Sequence, residues 1–258
     1  MKLLLKKHDK NSIGLIGHTI VNYPNADLTR QAIDIMVEAG VSLIELQIPF
    51  SEPIADGPLF THANHQALAQ GVNIEQSFAL MAEVSRKHAI PFVFMTYGNV
   101  LYQQGYERFV IRAKEAGAQG IIVPDLPIDQ TPDLVTACQQ HQLAWIQVIP
   151  PNATEQRLSL LAKASQGFIY AVARSGVTGA KTALNQQLTN FITRIRQYSD
   201  LPIAVGFGIA SPQDVAFLRP IADYAIVGSA ALRILQEGGV PALRKFWFAL
   251  SEVLCSSR

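Results

Sequence analysis

Eight short runs rich in β-branched and other apolar residues recur along this chain, alternating with longer stretches of helical spacing. The runs cover residues 12–19, 43–48, 92–97, 120–123, 145–149, 168–172, 203–206 and 224–227. Between the first two, residues 28–39 set Leu28, Ala32, Ile35 and Met36 on one helical face, and Gly40 supplies the stop. Strand and helix repeated in this order demand parallel strands, because a chain that crosses back along a helix re-enters the sheet in its original direction. At 258 residues, eight such units predict a single (β/α)8 barrel, a fold of about 250 residues. No Ser/Pro/Gly-rich linker marks a boundary, so residues 1–258 are expected to form one domain.

The competing architecture, an open doubly wound sheet, would carry a Gly-rich phosphate turn after its first strand. Here the glycines gather instead in Ser175-Gly176-Val177-Thr178-Gly179-Ala180, Gly206-Phe207-Gly208 and Gly228-Ser229-Ala230, after the sixth, seventh and eighth runs. Barrels commonly bind phosphate with the loops after strands seven and eight and a short extra helix, for which residues 229–233 are the candidate. Any one of these motifs could serve turn geometry alone. Three at the same rim point to an anionic, phosphorylated substrate.

Composition narrows the class further. Hydrophobic residues make up 49% and charged residues 16% of the chain, enough apolar material for a large core. A net charge of +1 without a basic stripe gives no electrostatic reason to expect nucleic acid. The one basic cluster, Lys2, Lys6, Lys7 and Lys10, flanks only residues 3–5 as an apolar stretch. That is far short of the roughly 7–15 residues of a signal peptide, and a short helix under the barrel is expected there instead. No apolar run reaches the length of a membrane span. Cys138 and Cys255 belong to no CxxC pair, which fits a reducing cytosol and a cytoplasmic protein.

The most informative segment is residues 43–58. With a period of two, Leu43, Glu45 and Gln47 face the barrel axis, while Ile44, Leu46 and Ile48 face the helices. A carboxylate inside a barrel must be paired or shifted in pKa, and the C-terminal end of a strand is where barrel catalysts sit. Polar core packing is the alternative for Glu45. Asp56 follows in a loop rich in Pro and Gly that can bring it back over the strand end, although beside Gly57 it could also serve only as an Asx turn. Two carboxylates in unlike surroundings suit a division of labour. A buried Glu45 with a raised pKa would shuttle a proton, and a wetter Asp56 would stay ionised and accept a hydrogen bond from a developing cation.

Residues 43–58 resemble the signature of the tryptophan synthase alpha subunit family. So do Gly120-Ile121-Ile122-Val123-Pro124-Asp125-Leu126-Pro127, Ile149-Pro150-Pro151-Asn152, residues 170–180, Val205-Gly206-Phe207-Gly208-Ile209 and Val227-Gly228-Ser229-Ala230. The resemblance implies a barrel that splits indole-3-glycerol phosphate into indole and glyceraldehyde 3-phosphate by retro-aldol chemistry, without a metal or organic cofactor. It makes Glu45 the catalytic glutamate and Asp56 the aspartate that steadies the indole N–H. It sets His18, Phe60, Tyr97 and Tyr170 around the indole and assigns Thr178 and Gly179 to a closing loop. Gly179, Phe207, Gly208, Gly228 and Ser229 become the phosphate cradle. It further implies a pyridoxal-phosphate beta subunit, an alpha2-beta2 tetramer, and an internal tunnel for the indole.

Four places depart from the family's pattern. Ile20-Val21-Asn22-Tyr23-Pro24 replaces a Thr-Ala-Gly-Asp-Pro type of sequence, His18 stands where an aromatic residue is usual, Gln47 replaces a glycine, and Glu52 replaces an aspartate in the partner-facing loop. These changes are compatible with an ordinary active subunit, with a free-standing lyase that releases indole, or with an impaired regulatory subunit whose pocket Gln47 or His18 crowds. Elsewhere, His62 and His65 have metal-like spacing but no third ligand in the sequence, so a solvated helix start is expected. Trp145 and Trp247 are read as packing, and Arg174 as a partner for phosphate or carboxylate.

Overall fold

The eight runs form eight parallel strands hydrogen-bonded in chain order, with the eighth closing on the first. A computed structural model describes residues 4–9, 11–173, 186–206 and 208–254. The strands are β1 (Gly14–Ile20), β2 (Leu43–Gln47), β3 (Phe92–Met95), β4 (Gly120–Ile122), β5 (Ala144–Ile149), β6 (Ile169–Val172), β7 (Ile203–Gly206) and β8 (Tyr224–Val227). Around them lie α1 (Ala26–Glu38), α2 (Pro58–Ala69), α3 (Ile74–Lys87), α4 (Gly98–Gln104), α5 (Tyr106–Glu115), α6 (Pro132–Gln140), α7 (Glu155–Ala164), α8 (Gln186–Arg196), α9 (Pro212–Leu218) and α10 (Ser229–Ser251).

Local chemistry starts and stops these helices where the turns require it. Asn25 caps α1 by accepting from the Leu28 amide, and Gly40, with φ of 81°, turns the chain toward β2. Asn73 and Gln76 form a reciprocal capping box at the start of α3. In α1, Ala32, Ile35 and Met36 are buried as the periodicity requires, Ile33 joins them, and Leu28 is half-buried.

Strand side chains divide between two cores, as a closed barrel dictates. Ile44, Leu46 and Ile48 pack outward beneath the helices. Leu43 points inward, where Ile16, Val93, Ile146, Phe168, Ala204 and Tyr224 fill the lower barrel. Higher in the same interior, Glu45 and Gln47 are fully buried. The parallel register aligns His18 on β1 with Glu45 on β2, and Ile20 with Gln47. The polar pair at positions 45 and 47 is therefore presented next to His18 by strand pairing alone.

Two expectations are corrected. Residues 4–9 form a bend and an irregular segment rather than a helix, and residues 1–3 lie outside the described set. Leu5 instead plugs the lower barrel, Tyr224 donates to the Lys6 carbonyl at 2.8 Å, and the His8 amide donates to Asp223 at 3.1 Å. Leu4 and Leu5 pack against the lower barrel, but so short an apolar stretch cannot make an apolar helical face. At the other end, the helix begun by residues 229–233 runs on as α10 and breaks only at Gly239, where φ is 65°. Trp145 and Trp247 are buried in packing roles, and no described helix is long and apolar enough to cross a membrane.

Candidate active site

A cavity opens at the C-terminal rim of the barrel, with about 610 Å³ of non-atom space, part of it continuous with solvent. Its wall includes His18 from β1, Glu45 from β2, Asp56 from the following loop, Phe60 from α2, Tyr170 from β6, Gly208 beyond β7, and Gly228 and Ser229 beyond β8. Met95, Ile122, Val148 and Ile226 add apolar surface. Sequence reasoning did not name these four as site residues. Their signal was their place near the C-terminal ends of strands, where period-two alternation turns them inward.

Asp56 reaches this cavity because its loop folds back on itself. The Asp56 amide donates to the Pro53 carbonyl at 2.9 Å, His65 Nε2 donates to the Ser51 carbonyl at 2.8 Å, and Pro58 opens α2 immediately afterwards. His65 is thus a strut of the loop. Among the described residues no group of three His, Cys, Asp or Glu side chains could hold a metal ion.

A continuous chain of hydrogen bonds joins the two carboxylates. Glu45 Oε2 lies 2.8 Å from His18 Nδ1, and His18 Nε2 lies 2.8 Å from Gln47 Oε1. Gln47 Nε2 in turn donates to Asp56 Oδ2 at 2.6 Å. Tyr97, wholly buried, donates its hydroxyl to the same oxygen at 2.9 Å. Glu45 Oε1 is buried and meets no hydrogen-bond partner among the described residues.

The electrostatics follow from enclosure. Burial works against charge on His18, but the hydrogen bond and charge of Glu45, the charge of Asp56 and the Gln47 hydrogen bond outweigh it, so the imidazole pKa is raised. Burial also pushes the Asp56 pKa up, opposed by the charge on His18 and the hydrogen bonds from Gln47 and Tyr97. Asp56 is half-buried where Glu45 is fully buried, so it is the wetter of the two carboxylates, and Gln47 and Tyr97 donate to it. Burial, then the charges of Glu45 and Asp56, raise Tyr170 well above the usual phenol range.

The fold brings some of the expected site residues to the cavity and sets others elsewhere. Phe60 packs edge-on against His18, with ring centroids 4.9 Å apart. Tyr170 lies across β7, close enough that a Cβ at Gly206 would stand 2.3 Å from its hydroxyl oxygen. Tyr97 does not line the cavity; it stands behind Asp56 and stacks on Phe50 at 5.3 Å. His18 contacts the catalytic candidate itself, a link that becomes visible only through the β1–β2 register. Gly208, with φ of 99°, and Gly228 and Ser229 at the start of α10 share the cavity with both carboxylates. Arg174, Thr178, Gly179 and Phe207 lie outside the described residues.

Fold and site together define a (β/α)8 barrel enzyme with two acidic side chains and a glycine-bearing rim around one cavity. The family model of the tryptophan synthase alpha chain matches residues 4–247. The alpha chain of Desulfotalea psychrophila is 44% identical over 95% of this chain and 96% of its own length. That of Syntrophotalea carbinolica is 44% identical over 92% and 94%. Among solved structures, tryptophan synthase of Mycobacterium tuberculosis superposes with a TM-score of 0.89 at 33% identity, covering 96% of this chain and 95% of the other. The chain belongs to the tryptophan synthase alpha chain family.

Proposed function

We propose that this chain cleaves indole-3-glycerol phosphate to indole and glyceraldehyde 3-phosphate as the alpha subunit of a tryptophan synthase. The observation that carries the reading is the convergence of Glu45, Asp56, Gly208, Gly228 and Ser229 on one largely apolar cavity. Cleaving the bond between the indole C3 and the glycerol chain needs a proton at C3, a partner for the indole N–H, and removal of the glycerol hydroxyl proton. Glu45, fully buried with one oxygen unpartnered among the described residues, moves the protons. Asp56 accepts from the indole N–H as positive charge develops there; the Gln47 and Tyr97 bonds both fall on Oδ2, and neither uses Oδ1.

The substrate's phosphate sits against the amides of Gly208, Gly228 and Ser229, where the first turn of α10 has no side-chain cap competing for its N–H groups. Gly179 and Phe207 complete that cradle, and Thr178 and Gly179 close over the indole. His18, Phe60 and Tyr170 enclose the ring, and Tyr97 holds Asp56 in place. The partner is a pyridoxal-phosphate beta subunit in an alpha2-beta2 assembly in the cytoplasm, receiving indole directly. Two exposed large side chains support a docking face: Ile54, on the Asp56 loop, and Tyr102, on α4, are each 71% exposed.

An assay of indole formation from indole-3-glycerol phosphate, with and without a beta subunit, tests the reading. Turnover that rises when the partner is added is expected. Absence of indole in both mixtures would refute it.

A further inference from the structure

We propose that His18 and Gln47 are positioning residues that tie Glu45 and Asp56 into one directional hydrogen-bond chain, in which the Glu45–His18 pair stores the proton used at the indole C3. The inference rests on the lyase reading above. It adds a function to two positions that otherwise look only like crowding of the pocket.

The direction of the chain is set from its far end. Asn64 is locked by the backbone on both sides of its amide: Nδ2 donates to the Phe60 carbonyl at 2.8 Å, and Oδ1 accepts from the Phe50 amide at 3.1 Å. Gln47 Nε2 faces that same Asn64 oxygen at 3.5 Å and Asp56 Oδ2 at 2.6 Å, both acceptors. The Gln47 carbonyl must then face His18, and a carbonyl only accepts. His18 Nε2 therefore carries a proton, whichever form the rest of the ring takes.

One proton remains to be shared across the 2.8 Å contact between His18 Nδ1 and Glu45 Oε2. In the unliganded protein it lies on the imidazole ring, on the side that faces Glu45. Passing from Nδ1 to Glu45 and on to C3 makes the indole a cation, whose N–H Asp56 holds. The carbon–carbon bond then breaks with its electron pair returning to the ring, the glycerol hydroxyl becomes a carbonyl, and its proton returns to Glu45 and the imidazole. Protons and charge balance over the cycle, and no further reactant is needed.

The groups that tune this pair come from every wall around it. Glu45 stands on β2, Asp56 on the loop beyond, Tyr97 behind Asp56, and Tyr170 on β6, while the Phe60 ring covers the imidazole. No Lys or Arg among the described residues lines the cavity. The raised imidazole pKa agrees with a stored proton.

Two measurements test the chain. Nitrogen-15 NMR of His18 in the unliganded protein should show both ring nitrogens protonated near neutral pH. In Glu45→Gln the ring should become neutral, with its proton on Nε2, because burial then prevails. A neutral wild-type ring, with its proton on either nitrogen, would overturn the proposal without reference to turnover. In the lyase assay with the beta subunit, His18→Phe should lower kcat by about 10- to 100-fold with little change in KM. Its alkaline limb should also move toward acid, because the imidazole that holds the proton at higher pH is gone. A wild-type protein that forms indole alongside a His18→Phe protein with the same pH profile would sink this inference and leave the lyase reading intact. Absence of indole from the wild type would sink the lyase reading, and the NMR result would still decide the proton's position.

Discussion

The hydroxyl of Tyr97 donates to Oδ2 of Asp56 across 2.9 Å, so a fully buried phenol selects which oxygen of a largely enclosed carboxylate is tied to the protein. Its hydrogen bond lowers an Asp56 pKa that burial raises. Tyr97→Phe removes that opposition, and the Asp56 pKa climbs further. If ionised Asp56 is needed for the reaction, the acid limb of kcat/KM moves to higher pH, and loss of a buried hydrogen bond costs about 1 kcal/mol of stability. A pH–rate profile and a denaturant titration measure both effects; an unmoved acid limb would show that Tyr97 only fills space.

His18 predicts a pH dependence of stability with a definite sign. Folding raises its pKa above the ordinary 6.5, so the folded chain keeps the proton where the unfolded chain has begun to lose it. That stabilisation is complete below the unfolded value and is lost as pH rises through the folded one. Tm should therefore fall by more in the wild type than in His18→Phe as pH rises past the ordinary imidazole value. Parallel curves for the two proteins would contradict the charged pair.

Gly206 bears on Tyr170 through space. A Cβ there would stand 2.3 Å from the tyrosine hydroxyl oxygen and 2.7 Å from two ring carbons. Gly206→Ala must displace the ring, at a cost of roughly 1–3 kcal/mol for an overpacked interior. Substrate KM should rise at the same time, because the displaced ring enters the indole space. Thermal melts and steady-state kinetics report the two consequences separately.

Gly208 tests the phosphate assignment. Its φ of 99° is a conformation that side chains beyond glycine rarely adopt. Gly208→Ala should weaken competitive inhibition by inorganic phosphate by about tenfold, since the amide it presents is displaced, while kcat at saturating substrate changes less. Equal inhibition of the two proteins would place the phosphate elsewhere.

The barrel was legible in the sequence because both of its periodicities are strong. Period-two alternation set Glu45 and Gln47 inward, and glycines marked the rim at positions 208 and 228. The N-terminal segment was misread because Lys2, Lys6 and Lys7 around a few leucines carry no signal that separates a short helix from a plug; Leu5 is held by the barrel interior, which a local pattern does not contain. How Asp56 is held over the strand end was not legible, since the loop's return depends on bonds such as His65 to Ser51, between residues 14 apart. The His18–Glu45 contact was likewise invisible until strand register set positions 27 apart side by side.

The most direct test is the rate of indole formation from indole-3-glycerol phosphate by Glu45→Gln beside the wild type, both with a beta subunit and both shown to bind inorganic phosphate. Proton transfer by a positioned side chain contributes about 10²- to 10⁴-fold, so the substituted protein should lose at least two orders of magnitude in kcat. Turnover near the wild-type rate with phosphate binding intact would mean that the buried carboxyl does not carry the proton.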